Sequence, residues 1–171
     1  EHMNQILSDL YVRDSVTGLY NRMGYQKLSI SYFTIMREKK MPVLVMFIDL
    51  DRLKYINDTF GHEYGDFAIV SIAKAMLKHC DADAIAARTG GDEFIVLEGA
   101  KDEESGRVLA QKIRTELSKT QRAMQLPFDL SASIGVVVAH PGEENVLESY
   151  VKRAEMLMYE EKAEKKVSRD S

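Results

Sequence analysis

The chain has 171 residues, 45% hydrophobic and 29% charged, which is the size and composition of one globular domain with room for a true core. Lys and Arg total 23 against 27 Asp and Glu, a net charge of −4 that argues against a non-specific nucleic-acid binder with its basic surplus. A single cysteine, Cys80, excludes an intramolecular disulfide, gives no sign of a zinc site and suits a cytoplasmic setting.

No signal-peptide or lipidation pattern opens the chain, and His2-Met3 reads as a cloning remnant on an excised piece of a longer protein. Ile6, Leu7, Leu10 and Tyr11 have helical spacing and predict a first helix over 4–12. Asp14 to Arg22 reads as a structured turn. A second helix is predicted over 23–40, ending before Pro42. Val43 to Ile48 is short, β-rich and unbroken, as a central buried strand should be, and it runs into Asp49-Leu50-Asp51. That run is also the longest clean apolar stretch, far short of the ~20 residues of a membrane helix, so no membrane contact is expected. Helical spacing returns over 53–60 and 67–80. Strands are predicted over 84–88 and 93–97, with Gly90-Gly91 between them as a hairpin signal. A helix over 102–122, a strand over 130–138 and a helix over 144–165 complete the order. From residue 43 this is β-α-α-β-β-α-β-α. With its first two helices taken together, it is the split βαββαβ arrangement plus one helix. The expected fold is α+β, a mainly antiparallel sheet with helices packed on one face.

Two acidic clusters sit at predicted strand ends. Asp49 closes a buried strand, where a carboxylate is costly unless it meets a metal or a cation. Its bland alternative is a helix cap, a role that suits Asp51 better. Asp92-Glu93 follows two glycines at the hairpin tip, where positive φ or close approach of another group is allowed; an ordinary solvated turn is the alternative. At the ends of adjacent core strands the two clusters would form a hard oxygen site suited to Mg²⁺, and a metal pair there would support in-line phosphoryl displacement. Arg52, Leu53 and Lys54 open the next helix, whose backbone N–H groups favour phosphate. Lys162 and Lys166 are four apart and share a face of the last helix. By themselves they read as a solvated basic end. Asn57 and Asp66 bracket Gly61 to Gly65; an amide and a carboxylate can read a guanine edge, or both can be helix caps. His62, seen singly, is more often structural.

Phe47 to Asp51 also resembles the nucleophile motif of haloacid-dehalogenase-type phosphatases, but Arg52-Leu53 stands where that motif continues with Gly-Thr. An EF-hand loop fails at Leu53, Lys54 and Phe60.

Arg88-Thr89-Gly90-Gly91-Asp92-Glu93-Phe94 resembles the signature of GGDEF domains, the diguanylate cyclases. Asp14 to Arg22 is similar to the family's entry motif, with Val16 in place of Leu. Asp49 to Lys54, Ile56 to His62 and Gly65-Asp66 are similar to its central block. The likeness covers about residues 14–166, leaving 1–13 as a linker or signalling helix and 167–171 as a tail. It implies a ferredoxin-like palm related to adenylyl cyclase and polymerase palms. It also implies condensation of two GTP into cyclic di-GMP with release of two pyrophosphates. In that scheme Asp49, the Leu50 carbonyl, Asp92 and Glu93 hold Mg²⁺, two ions per GTP, with Mn²⁺ as an alternative. Asp92 and Glu93 also activate the 3′-hydroxyl. Asn57, Asp66 and His62 meet guanine. Arg52, Leu53, Lys54, Lys162 and Lys166 meet phosphate. Each domain holds one GTP, so a second copy is implied, as is an upstream sensor or dimerisation module. A catalytically weak, GTP-binding regulatory module is the alternative function, and an Asp-x-Asp phosphatase the third.

Two departures stand out. The family's product-inhibition pattern, Arg-x-x-Asp, falls on Asp81 and Ala84, so no inhibitory site is expected there. Lys165-Lys166-Val167 replaces the usual Gly-Arg-Asn, so a lysine stands in for an arginine and bidentate phosphate binding is lost.

Overall fold

A computed structural model describes residues 2–170, apart from the side chains of residues 8–10; Leu10, counted in the first predicted helix, therefore has a side chain outside the described residues. The elements are α1 (His2–Val12), α2 (Arg22–Glu38), β1 (Val43–Leu50), α3 (Leu53–Phe60), α4 (His62–His79), β2 (Ile85–Arg88), β3 (Glu93–Gly99), α5 (Glu103–Ala123), β4 (Ala132–Ala139) and α6 (Leu147–Asp170). The four strands form one sheet in the order β2-β3-β1-β4, and every pairing is antiparallel. With α3 and α4 as one crossover, this is the ferredoxin-like βαββαβ arrangement.

Helices cover both faces of the sheet, not one. All eight residues of β1 are buried. Leu44, Met46, Ile48 and Leu50 point to a core shared with Ile56, Ile72, Met76, Ile113 and Leu117, which belong to α3, α4 and α5. Val43, Val45 and Phe47 point the other way, to Phe33 and Met36 of α2 and to Tyr150, Ala154 and Met158 of α6. The physical reason lies in the unbroken apolar run. Side chains alternate between faces, so a strand with no polar face must be covered on both.

The bounds of α4 and α6 differ from the sequence reading by more than two residues, and β4 begins two residues later than expected. α4 begins at His62 rather than 67, because Gly61 takes φ 101° and breaks the helix for a single residue before it restarts. β4 begins at Ala132 rather than 130; Leu130 donates its N–H to the Gln121 side chain at 2.9 Å instead. α6 spans 147–170 rather than 144–165.

Two features place the site. The Asp14 to Arg22 turn docks on the edge of β2, where Tyr20 accepts from Arg88 N–H at 2.8 Å and donates to the Ala86 carbonyl at 3.2 Å. α6 lies directly on β4 because Gly135 has no side chain. A Cβ there would stand 1.9 Å from the Ala154 carbonyl oxygen and 2.6 Å from the Met158 nitrogen. That close approach brings the last turns of α6 over the ends of β1 and β4.

Candidate active site

Asp49 lies inside β1, paired across the sheet with Glu93 of β3 and Ser133 of β4. Leu50 donates its N–H to the Asp92 carbonyl at 2.9 Å, which locks the hairpin turn to the strand end. The result is a cluster in which Asp49, Asp92 and Glu93 each present a carboxylate oxygen, all within 4.8 Å of one another. Burial is the main cause that pushes Asp49 up, to about 6, against the opposing Lys162. Burial, followed by the charge of Asp92, also raises Glu93. Three crowded carboxylates with only oxygen donors fit a hard divalent cation such as Mg²⁺ or Mn²⁺.

α6 supplies the cations. Lys162 donates to Asp49 Oδ1 and, at 3.5 Å, to the Leu50 carbonyl. Lys165 donates to Asp51 Oδ2 at 2.7 Å and to the Ala132 carbonyl at 2.8 Å. Asp51 also accepts from the hydroxyls of Ser131 (2.7 Å) and Ser133 (2.6 Å). Burial alone would raise its pKa, but these hydrogen bonds outweigh it and hold Asp51 below its ordinary value. Asp51 is therefore not a helix cap. The residue before α3 is Arg52, in the left-handed region with φ 57°, and α3 has no side-chain cap. Lys166 is exposed, whereas Lys162 and Lys165 are half-buried. Lys165, Ser131 and Ser133 are the residues that sequence reasoning passed over. The spacing of Lys162 and Lys165, three apart on one helix, was the available signal.

The signature turn is braced from outside. Thr89 and Gly90 donate N–H groups to the Glu93 carbonyl at 3.0 and 3.4 Å. Arg88 donates to the Gly91 carbonyl at 2.9 Å and pairs with Asp14 at 3.3 Å. The latitude for positive φ expected at Gly90 and Gly91 is not used; among the described residues the positive-φ glycines are Gly18 and Gly61. Gly90 instead leaves room for Glu93, whose Oε2 would be 3.1 Å from a Cβ at that position.

Leu53 is half-buried at the start of α3, while Arg52 and Lys54 are exposed and the Arg52 guanidinium lies 3.9 Å over the Tyr55 ring. Asn57 is half-buried on α3, and its amide packs onto Gly65 of α4. A Cβ on Gly65 would be 1.7 Å from Asn57 Oδ1. Asp66 is the next residue, exposed, as is His62 one turn earlier. Asn57 and Asp66 both lie within helices, so neither is a cap. A groove of about 670 Å³ opens beside Asp51, lined among others by Arg52, Tyr55, Phe128, Ser131 and Lys165. At the far end of β2, Asp81 and Ala84 line a cavity of about 250 Å³, and neither side chain offers a cation there.

A family model described as "Diguanylate cyclase, GGDEF domain" matches residues 11–168. This chain belongs to the GGDEF domain family. The GGDEF domain is 35% identical over 153 residues to diguanylate cyclase VdcA of Vibrio cholerae, covering 87% of this chain and 43% of that protein. It is 32% identical over 146 residues to the cyclic di-GMP phosphodiesterase PdeR of Escherichia coli, covering 85% of this chain and 22% of that protein. The chain thus spans less than half the length of either relative. Among solved structures, a sensory box/GGDEF family protein from Caulobacter crescentus superposes with TM-score 0.74 at 30% identity, covering 90% of this chain and 99% of that one. The coiled coil and GGDEF domain of DgcB from Caulobacter crescentus, solved in complex with c-di-GMP, has TM-score 0.77 at 24% identity, covering 95% of this chain and 85% of that one, and supports the fold. No helix among the described residues of this GGDEF domain is long and apolar enough to cross a membrane.

Proposed function

We propose that residues 14–166 are a diguanylate cyclase module that condenses two GTP into cyclic di-GMP and releases two pyrophosphates, working across a homodimer as the output of a larger signalling protein. The observation that carries this reading is the intact acid cluster: Asp49, Asp92 and Glu93 converge at the ends of neighbouring core strands, with oxygens within 4.8 Å of one another. Asp49, the Leu50 carbonyl, Asp92 and Glu93 would hold Mg²⁺ or Mn²⁺, which supplies charge neutralisation for the triphosphate and acidifies the attacking hydroxyl.

The chain's own residues do the rest. Asn57 and Asp66, with His62 nearby, orient guanine. Arg52, Lys54, Lys162 and Lys166, with the Leu53 backbone, hold the phosphates. The 3′-oxygen of one GTP bonds to the α-phosphorus of the other as the bond to the pyrophosphate bridging oxygen breaks. The hydroxyl proton passes to a carboxylate of the acid pair Asp92 and Glu93. Catalysis is therefore mostly positioning and electrostatics. Each domain binds one GTP, so the partner copy brings the other. In this reading residues 1–13 connect to an upstream sensor or dimerisation module, 167–171 are a tail, and the module works in the cytoplasm.

A second reading is a regulatory GTP-binding module with weak catalysis, because the domain also matches PdeR, a relative named for cyclic di-GMP hydrolysis and not for synthesis. One assay separates the two. The chain, fused to a dimeric coiled coil, is incubated with GTP and Mg²⁺, and cyclic di-GMP is measured by chromatography. The cyclase reading expects product from the native sequence and none from D92A. Product from D92A at the native rate would sink the metal assignment; GTP binding with no product from either would favour the regulatory module.

A further inference from the structure

The side chain of Lys162 occupies a telling position. It donates to Asp49 Oδ1 and to the Leu50 carbonyl, so it meets two of the four groups assigned above to the divalent cation. Mg²⁺ takes its oxygen ligands at about 2.0–2.1 Å, closer than any ammonium approaches, and it repels a neighbouring cation. Ammonium and metal therefore compete for these ligands. We propose that Lys162 is the internal counter-ion of the acidic site, that it competes with the divalent cation for Asp49 and Leu50, and that metal entry displaces it toward the incoming phosphates.

The surroundings separate a fixed helix from a movable side chain. The α6 backbone is held against β4 at Gly135, where there is no space even for a methyl group. Three residues after Lys162, Lys165 is tied to Asp51 and to the Ala132 carbonyl at 2.7 and 2.8 Å, in a pair whose acid is only 7% exposed. Lys162 itself is 32% exposed. Its four-carbon stem can carry the ammonium to a new partner while the helix stays docked. The charge arrangement drives the same exchange. Asp49, Asp92 and Glu93 form one cluster; Lys162 donates to Asp49 and the charge of Arg22 acts on Glu93, yet the acids still repel one another. A divalent ion relieves that repulsion better than Lys162 does, and the triphosphate then offers Lys162 a stronger partner.

The exchange toward phosphate rests on the cyclase reading, but the competition is measurable without nucleotide. Mn²⁺ alone is titrated into the native chain and into K162M, K162Q and K162R, with bound metal followed by electron paramagnetic resonance and folding checked by circular dichroism. K162M and K162Q are expected to bind Mn²⁺ about tenfold more tightly than the native chain, because the competing cation is gone. K162R keeps the charge and is expected to bind about as the native chain does. The two neutral variants should also bind a non-hydrolysable GTP analogue more weakly in saturating Mn²⁺, the opposite sign. Two neutral side chains of different polarity guard against a folding defect in either one. Equal, weaker or undetectable Mn²⁺ binding by the neutral variants overturns the proposal. A domain that makes no cyclic di-GMP would fail the cyclase assay yet leave this comparison readable.

Discussion

Gly65→Ala separates recognition from folding at one atom. The new Cβ would stand 1.7 Å from Asn57 Oδ1 and 2.8 Å from its Cγ, with no backbone atom among the close neighbours. The Asn57 side chain can rotate away, so the helices need not part. The stability terms nearly cancel. Replacing a helical glycine gains up to about 1 kcal/mol in helix propensity, and an off-rotamer or repacked side chain costs about 0.5–1.5 kcal/mol. The melting temperature should therefore move little. Recognition is another matter, because the amide assigned to guanine has been turned out of place. Losing one or two of its hydrogen bonds costs about 1–2 kcal/mol, a roughly 5- to 30-fold loss in GTP affinity. Calorimetric titration with a GTP analogue measures it, with N57A and the double variant beside it. Since both changes remove the same amide, the double variant should bind no more weakly than either single one. Native-like GTP affinity in G65A, or additive losses in the double variant, would refute the assignment of Asn57 to guanine.

Gly135→Ala meets backbone rather than a side-chain tip, so α6 must lift from β4. The expected cost is about 2–3 kcal/mol in urea denaturation, with loss of cyclase activity as Lys162 and Lys165 move away. R88A removes the guanidinium that joins the Gly91 carbonyl to Asp14, and a loss of about 1–3 kcal/mol should appear as a lower melting temperature. Asp51 links stability to pH. Its folded pKa lies below its ordinary 3.8, so its contribution is present above that value and is lost as pH falls through the folded pKa. D51N should be less stable at neutral pH, and its acid unfolding curve below about pH 4 should be flatter than that of the native chain; parallel curves would contradict the role given to Lys165 and the two serines.

Much of the fold was legible because its signals are local. Val43 to Ile48 reads as a buried strand from its length and β-branched content, and Gly90-Gly91 between two β-prone runs reads as a hairpin turn. The same apolar run also carried the evidence for helices on both faces, since it has no polar side to leave in water. The cap readings of Asp51, Asn57 and Asp66 failed for a different reason. Each is a polar residue in or beside a predicted helix, and capping is a local default. Asp51 was claimed instead by Ser131, Ser133 and Lys165, which lie 80 or more residues away in sequence.

The sequence by itself determined the element order, the acids Asp49, Asp92 and Glu93, and the family to which the chain belongs, because each is written in residue type and short spacing. Only the tertiary structure decided which lysines reach those acids. Lys162, Lys165 and Lys166 lie within two turns of one helix, and their separation into two inward cations and one exposed one depends on how α6 rests on the sheet. That seat is set by Gly135, through a contact between segments distant in the chain, and helical periodicity alone carries no record of it.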